Sequence, residues 1–312
     1  MPIGISFFVF HNISLLVDLT RQKGPRPALS AIFLYIIFFP QLVSGPITRA
    51  QMFMPQIAPK RLADVAFVEA GKWILIGYFF KLFVANNLNE MTAYMDFPLS
   101  ETLQTQDRWL LVFLYSYQIY ADFFGYSSIA IGLGLLFGYR LPINFNLPYT
   151  SQSFSEFWTR WHISLSNWLR TYLYIPLGGN RLGAARTYLN LMIVMGLGGL
   201  WHGAGLSYLL WGLCHGAFLA AERPFLGRLQ SIDLAAFRVA RMTVVFVCVS
   251  LLWVFFKLPD FNHAWAYLAG MFTPSTNPNP TKLFYNLALL YSLPVILQHT
   301  FNIRSVLERR LP

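Results

Sequence analysis

The sequence predicts an all-α polytopic membrane protein with transmembrane and re-entrant helices, and three observations carry that prediction. Of 312 residues, 56% are hydrophobic and 17% aromatic while only 12% are charged, with a mean hydropathy of +0.48; a soluble domain carries about 25% charged residues. Apolar runs at Ala28 to Val43, Trp73 to Ala85, Trp109 to Phe124, Leu189 to Leu200 and Val239 to Phe256 can enter or cross roughly 30 Å of hydrocarbon. Several fall short of about 20 residues, which marks them as re-entrant or tilted. The net charge of +10 is spread through short loops between these runs, a distribution suited to cytoplasmic loops facing anionic lipid rather than to a nucleic-acid surface.

Loop charge then orders the elements. The opening residues, MPIGISFFVFHNISLLVDL, lack a basic n-region and a small-residue cleavage site, so they read as the interior of a larger protein rather than as a signal peptide. Arg21, Lys23 and Arg26 precede the apolar segment from Ala28 to Gly45, and Arg49 follows it. Either that segment is re-entrant or one basic loop lies outside; FFPQLVSGPITR, with Pro40 and Pro46, suits a broken segment shielded by protein.

Arg49, Lys60 and Arg61 mark a cytoplasmic loop, and a crossing at about 65 to 85 leads outward to residues 86 to 107, where Glu90, Asp96, Glu101 and Asp107 stand without a basic partner. The chain returns through 108 to 138 to a long basic loop holding Arg140, Arg160, Arg170, Arg181 and Arg186. From Arg186 to Arg223 an apolar stretch has both ends inside, so it must go in and come back, turning near Gly203 and Gly205 with His202 at membrane depth or near the outer face. Arg223, Arg228, Arg238 and Arg241 mark the next inner loop. A crossing at 239 to 257, an outer loop at 258 to 281 with Asp260, a return at 283 to 301 and an inner tail with Arg304, Arg309 and Arg310 complete the path. No internal repeat and no low-complexity segment is visible.

Candidate chemistry lies in three places. Asp122 sits in YSYQIYADFFGYSSIAIGLGLLFG, and a carboxylate at mid-helix in a membrane costs about 2.5 to 3.5 kcal/mol on insertion scales. It should face a polar cavity or a partner, or be held by hydroxyls and amides such as those of Tyr117, Gln118, Tyr120 and Tyr126. The stretch SEFWTRWHISLSNWLRTYLYIPLGGNR, with Ser155, Glu156, Trp158, Arg160, Trp161, His162, Ser164, Trp168, Arg170, Tyr172 and Tyr174, has the aromatic and basic mix of a helix lying in the membrane interface, ended by Gly178 and Gly179. Alternatively it forms a cytoplasmic gate in which Arg160 and Arg170 meet donor phosphates and His162 lines the path inward.

His202, in GLWHGAG, is suited to take a proton from a hydroxyl attacking an acyl carbon and return it to the leaving group, and Gly203 and Gly205 permit close approach. No Gly-x-Ser-x-Gly elbow accompanies it. A packing histidine hydrogen-bonded across helices is the plainer alternative, and His215 is expected to be one; His11, His263 and His299 are taken as structural. Cys214 and Cys248 are expected to be small buried hydrophobes, without disulfide or zinc-ligand spacing.

Together, FFPQLVSGPITR, YQIYADFFGYSSIAIG, LPINFNLPYTSQSFSEFWTRWHISLSNWLRTYLYIPLGGNR and GLWHGAG resemble the membrane-bound O-acyltransferase family, in particular its bacterial alginate O-acetylase branch. The resemblance runs through most of the chain and implies one membrane domain over residues 1–312, with helices around a central tunnel. It also implies an acetyl group taken from cytoplasmic acetyl-CoA, with no permanently bound cofactor or metal, and passed toward an exported polysaccharide such as alginate, directly or through a periplasmic carrier protein. Residence in the bacterial inner membrane follows.

The family's two functional histidines match His162 and His202, the latter regarded as catalytic, and Arg160, Asp122, Glu156, Trp161, Arg170 and Trp201 are expected to bind substrate or shape the tunnel. The chain departs from the branch at Phe124 and Ser128, where FDFSGYSDMAIG is usual, and at Thr171, where RDYLYIPLGG is usual. The match begins at the family's internal PIGISF motif, so the chain is expected to lack N-terminal helices of a typical member. A proton-coupled transporter or flippase using Asp122 and the histidines, and an inactive shortened paralogue, are the alternative expectations.

Overall fold

In the computed structural model, which describes residues 4–21, 26–43, 45–232, 234–274 and 281–301, every regular element among the described residues is helical. The first part comprises α1 (Ile5–Arg21), α2 (Leu29–Ile37), α3 (Ala50–Phe53) and α4 (Phe67–Tyr78). A π-helical segment, Phe79–Ala85, continues α4 into α5 (Asn86–Thr92). Then follow α6 (Thr105–Leu136), α7 (Phe154–Arg160), α8 (Ile163–Leu169), α9 (Ala184–His202), α10 (Leu206–Glu222) and α11 (Leu226–Ser231). The last are α12 (Ala235–Lys257), α13 (Phe261–Gly270) and α14 (Lys282–Phe301).

Among the described residues, α6 and α12 are long and apolar enough to cross a membrane. The crossings expected near 65–85, 108–138, 239–257 and 283–301 fall on α4 with its π-helical continuation, α6, α12 and α14. Lys23, Arg304, Arg309 and Arg310 lie outside the described residues, as does the side chain of Arg228.

The segment around Pro40 is broken, as its prolines suggest. The helix α2 has nine residues, a length of roughly 14 Å at 1.5 Å per residue. It ends at Ile37, Phe38 is extended, and a 3₁₀ turn, Phe39–Gln41, follows. The Gln41 side-chain amide donates to the Tyr35 carbonyl at 2.7 Å, satisfying a carbonyl that a continuing helix would have used.

Small residues bring α4 and α6 together. A Cβ at Gly77 would lie 2.7 Å from the Gly125 carbonyl oxygen, one at Gly125 2.8 Å from the Gly77 oxygen, and one at Gly132 2.8 Å from the Ala70 oxygen. The order of these contacts makes the helices antiparallel, and at such separation backbone meets backbone, as in small-residue helix pairs in membranes. Between α9 and α10 the same device recurs: a Cβ at Gly199 would sit 2.2 Å from the Tyr208 oxygen, and one at Gly212 2.1 Å from the Met195 oxygen. The hairpin turns at residues 203–205, where the charge pattern places it, and His202 is the last residue of α9. Between these pairs lies an aromatic core that includes Phe80, Tyr120, Phe145, Trp161, Trp211 and Trp253.

Candidate active site

Of the two readings of the aromatic and basic stretch, the single interfacial helix does not hold, because the stretch forms two short helices packed inward. Helix α7 ends at Arg160, and α8 begins at Ile163 after His162 adopts the left-handed conformation, φ 42° and ψ 53°. Trp161 and His162 are 4% and 2% exposed, so this face is core rather than lipid anchor. Gly178 and Gly179, both with positive φ, end the segment as expected.

Asn144 holds the break. Its carbonyl accepts from the Ile163 amide at 2.9 Å, its Oδ1 accepts from Ser164 Oγ at 2.6 Å, and its Nδ2 donates to Ser127 Oγ on α6 at 2.9 Å. Ser164 Oγ in turn accepts from the Ile47 amide at 2.9 Å. A left-handed non-glycine residue costs roughly 1–2 kcal/mol and persists where its surroundings over-determine it; here three separate segments do so.

Helix α7 is fixed at both ends. Ser153 Oγ accepts from the Glu156 amide at 3.0 Å, and the Glu222 carboxylate at the end of α10 accepts from the Phe154 and Ser155 amides at 2.7 and 2.6 Å. Carboxylates at a helix N-terminus meet its free N–H groups and the positive end of its dipole. Glu156 Oε2 accepts from the Gln152 amide at 2.8 Å, and its Oε1 takes Arg160 Nε at 2.9 Å. Arg160 also donates to the Asn146 carbonyl at 3.0 Å.

A cavity of about 340 Å³ lies between these elements, and its wall includes Asp122, Trp161, His162, Trp201 and His202. Arg160, Glu156 and Arg170 are outside the lining, and Arg170 is exposed. His202 is flanked by the rings of Trp201, Phe256 and Trp211 at centroid distances of 4.5, 4.9 and 5.4 Å. Among the described residues no protein group hydrogen-bonds its ring nitrogens, and the side chain is half-buried against the cavity. His162 packs edge-on to Phe123 at 4.6 Å, and its buried Nε2 has no hydrogen-bond partner among the described residues.

Among the described residues Asp122 is not held by neighbouring hydroxyls or amides, contrary to one sequence expectation. Lys81, from the π-helical segment, donates to its Oδ1, while the Tyr120 hydroxyl goes to Gln298 and Gln118 to Asn89 and Thr92. Lys81 and Asn144 both escaped the sequence reading. Lys81 stands inside an apolar run, and its charge there was the available signal, since a lysine at membrane depth calls for a partner. Asn144 had no comparable signal.

The remaining histidines divide. His215 is fully buried among Trp158, Trp211 and Phe157, but among the described residues neither ring nitrogen has a partner; it packs across helices without the expected hydrogen bond. His11 is structural, bonded to the Phe7 carbonyl and the Thr48 amide. His299 bonds the Val295 carbonyl, and His263 stacks on Phe97. Cys214 and Cys248 are free thiols, half-buried rather than fully enclosed.

The sequence that builds this hairpin and cavity matches a known protein class. The model of the membrane-bound O-acyltransferase family covers residues 5–259, and the chain belongs to that family. It is 43% identical over 276 residues to the protein named "probable alginate O-acetylase" of Azotobacter vinelandii, covering 88% of this chain and 54% of the relative. To the protein of the same name in Pseudomonas aeruginosa it is 41% identical over 282 residues, covering 88% and 52%. The peptidoglycan O-acetyltransferase of Helicobacter pylori is 34% identical over 299 residues, with 87% and 56% covered. The chain thus spans about half the length of the curated relatives it matches.

Proposed function

We propose that the protein is an O-acyltransferase that moves an acetyl group from cytoplasmic acetyl-CoA to hydroxyls of an exported polysaccharide such as alginate, directly or through a periplasmic carrier protein. The observation that carries this reading is His202: a ring that, among the described residues, has no protein hydrogen bond on either nitrogen and faces the cavity at the turn of a helical hairpin. Family membership and the three relatives supply the reaction class.

In the proposed step, His202 removes the proton of the acceptor hydroxyl as its oxygen attacks the thioester carbonyl carbon. The new C–O bond forms, the C–S bond breaks, and the departing thiolate takes the proton from the imidazolium. Asp122, with Oδ1 engaged by Lys81, offers Oδ2 to a donor group on either substrate. His162, Trp161 and Trp201 shape the cavity, and the exposed Arg170 receives donor phosphates at the cytoplasmic mouth. Arg160 and Glu156 serve the same mouth by fixing α7 and the chain around Asn146. The helices lie in the bacterial inner membrane with the basic loops inside, α9 and α10 form a hairpin that enters from the cytoplasm, and the cavity is part of a tunnel across the membrane.

Membrane vesicles carrying the protein test this, with acetyl-CoA labelled in the acetyl group supplied on the cytoplasmic face. Label should reach saccharide hydroxyls with the wild type and fall by about 10²–10⁴-fold with His202→Ala. Label transfer that survives His202→Ala removes the mechanism. Saccharide flux without transfer of label would favour a transporter.

A further inference from the structure

Trp201 is a partition between two hollows. On one side is the cavity that carries His202. On the other is a second hollow of about 180 Å³, bounded by Phe10, Trp168, Leu173 and Leu197. The two share Leu165, Leu169, Gly198 and Trp201 as wall. The wall is thin at Gly198, where a Cβ would meet only the Leu169 side chain, at 3.6 Å.

Packing alone keeps the indole in place. Its ring stacks on Phe10 at 5.1 Å, meets Phe7 edge-on at 5.6 Å and lies 4.5 Å from the His202 ring, while its Nε1 has no hydrogen-bond partner among the described residues. The second hollow is lined by aliphatic and aromatic side chains and the Tyr172 ring, with no charged group in its wall. Its chemistry suits an alkyl chain, and it lies one ring's thickness from the imidazole proposed to act at the acyl carbon.

We propose that Trp201 is a specificity-determining residue: it closes the second hollow to the acyl group and so restricts the donor to short acyl thioesters. The proposal rests on the acyltransferase reading and adds what selects the acyl chain. The bonds exchanged are the same whatever the chain, C–O formed and thioester C–S broken with the proton passing to the thiolate, so only the space beside the acyl carbon discriminates. A hydrophobic pocket distinguishes single methylenes by about 10–200-fold, which makes an indole-sized partition a strong filter.

The test uses full-length protein in vesicles and compares wild type, Trp201→Phe, Trp201→Ala, Leu173→Trp and the double variant Trp201→Ala/Leu173→Trp. Transfer is measured from acetyl-, butyryl- and hexanoyl-CoA. Binding of the thioethers S-ethyl-CoA and S-hexyl-CoA, which needs no turnover, is measured alongside.

Trp201→Ala should raise the hexanoyl-to-acetyl ratio and the S-hexyl preference at least about tenfold, with Trp201→Phe in between. Leu173→Trp, filling the hollow, should reverse that gain in the double variant while leaving acetyl transfer unchanged by itself. A wild-type chain-length preference in Trp201→Phe and Trp201→Ala overturns the proposal, as does a gain that survives Leu173→Trp. Where Trp201→Ala fails to fold, Trp201→Phe and Leu173→Trp decide. Absence of transfer by the wild type with every donor counts against the acyltransferase reading, and the thioether preferences then judge the partition separately.

Discussion

Lys81, presented by the π-helical segment between α4 and α5, closes an ion pair with Asp122 at the middle of α6. The pair continues the line of close contacts set by Ala70 against Gly132 and Gly77 against Gly125, so the glycines that let the helices touch also bring the two charges together. π-helical turns occur often at functional sites; here the turn shifts the register so that a lysine on one helix meets a carboxylate bordering the cavity.

The pairing predicts non-additivity. Both side chains are partly exposed, at 34% and 48%, so the coupling should fall between the 0–1 kcal/mol of surface pairs and the 3–5 kcal/mol lost on breaking a buried one. A double-mutant cycle of Lys81→Met and Asp122→Asn, read by thermal unfolding in detergent, should give about 1–2 kcal/mol of coupling. Additive losses would mean that the two residues act separately.

Position 162 should discriminate between side chains of similar size by backbone conformation. His162→Asn keeps the left-handed turn at low cost, whereas His162→Val adds a β-branch where φ is 42° and should cost about 1–2 kcal/mol more. Comparing unfolding midpoints of the two variants checks this separately from activity, since both lack the imidazole. Equal midpoints would show that the strained turn is not retained in solution.

Asn144→Ala removes the polar hub of that turn and leaves Ser127, Ser164 and neighbouring amides to repair their bonds inside the protein. The expected loss is about 1–3 kcal/mol of stability, with acyl transfer falling as His162 and the cavity wall shift. Asn144→Asp, which keeps the acceptor but not the donor to Ser127, should recover part of the stability. A fully stable Asn144→Ala protein contradicts the assignment.

The α9–α10 hairpin should tolerate no side chain at its crossing. Gly199→Ala or Gly212→Ala drives a methyl to within 2.2 or 2.1 Å of a carbonyl oxygen, and overpacking of this kind costs about 1–3 kcal/mol. Because His202 ends α9, separating the helices moves the imidazole, so activity should fall more steeply than stability. Gly71→Ala, at a site with open space around its Cβ, is the matched control and should be neutral in both assays.

The proposed donor contact at the cytoplasmic mouth separates two arginines. Arg170 is exposed, so Arg170→Ala should raise the KM for acetyl-CoA severalfold with kcat little changed, an effect weakened by salt. Arg160 is bonded to Glu156 and the Asn146 carbonyl, so Arg160→Ala should lower stability first, and Glu156→Gln should do the same through the loss of that pair. A KM effect confined to Arg160 would reverse these assignments.

The sequence by itself determined the helical class, the turn of the hairpin at residues 203–205, the break around Pro40 and the residues that carry the family resemblance. These follow from signals local in the chain: apolar length, loop charge, proline and glycine positions, and motif strings. It also singled out His162, His202, Asp122, Trp161 and Trp201, whose side chains meet in one cavity.

Only the tertiary structure decided what those residues touch. The partner of Asp122 lies on another helix, reached through a glycine seam and a π-helical turn that no periodicity announces. The stretch that reads as one interfacial helix breaks at His162 because Asn144, Ser127 and Ser164, which are far apart in sequence, hold a left-handed residue between them. Trp201 reads as a neighbour of His202 in the chain; its place between two hollows exists only once α1, α8 and α9 have packed. Local chemistry is written along the chain, whereas charge partners, backbone strain and cavity walls depend on which distant segments are pressed together.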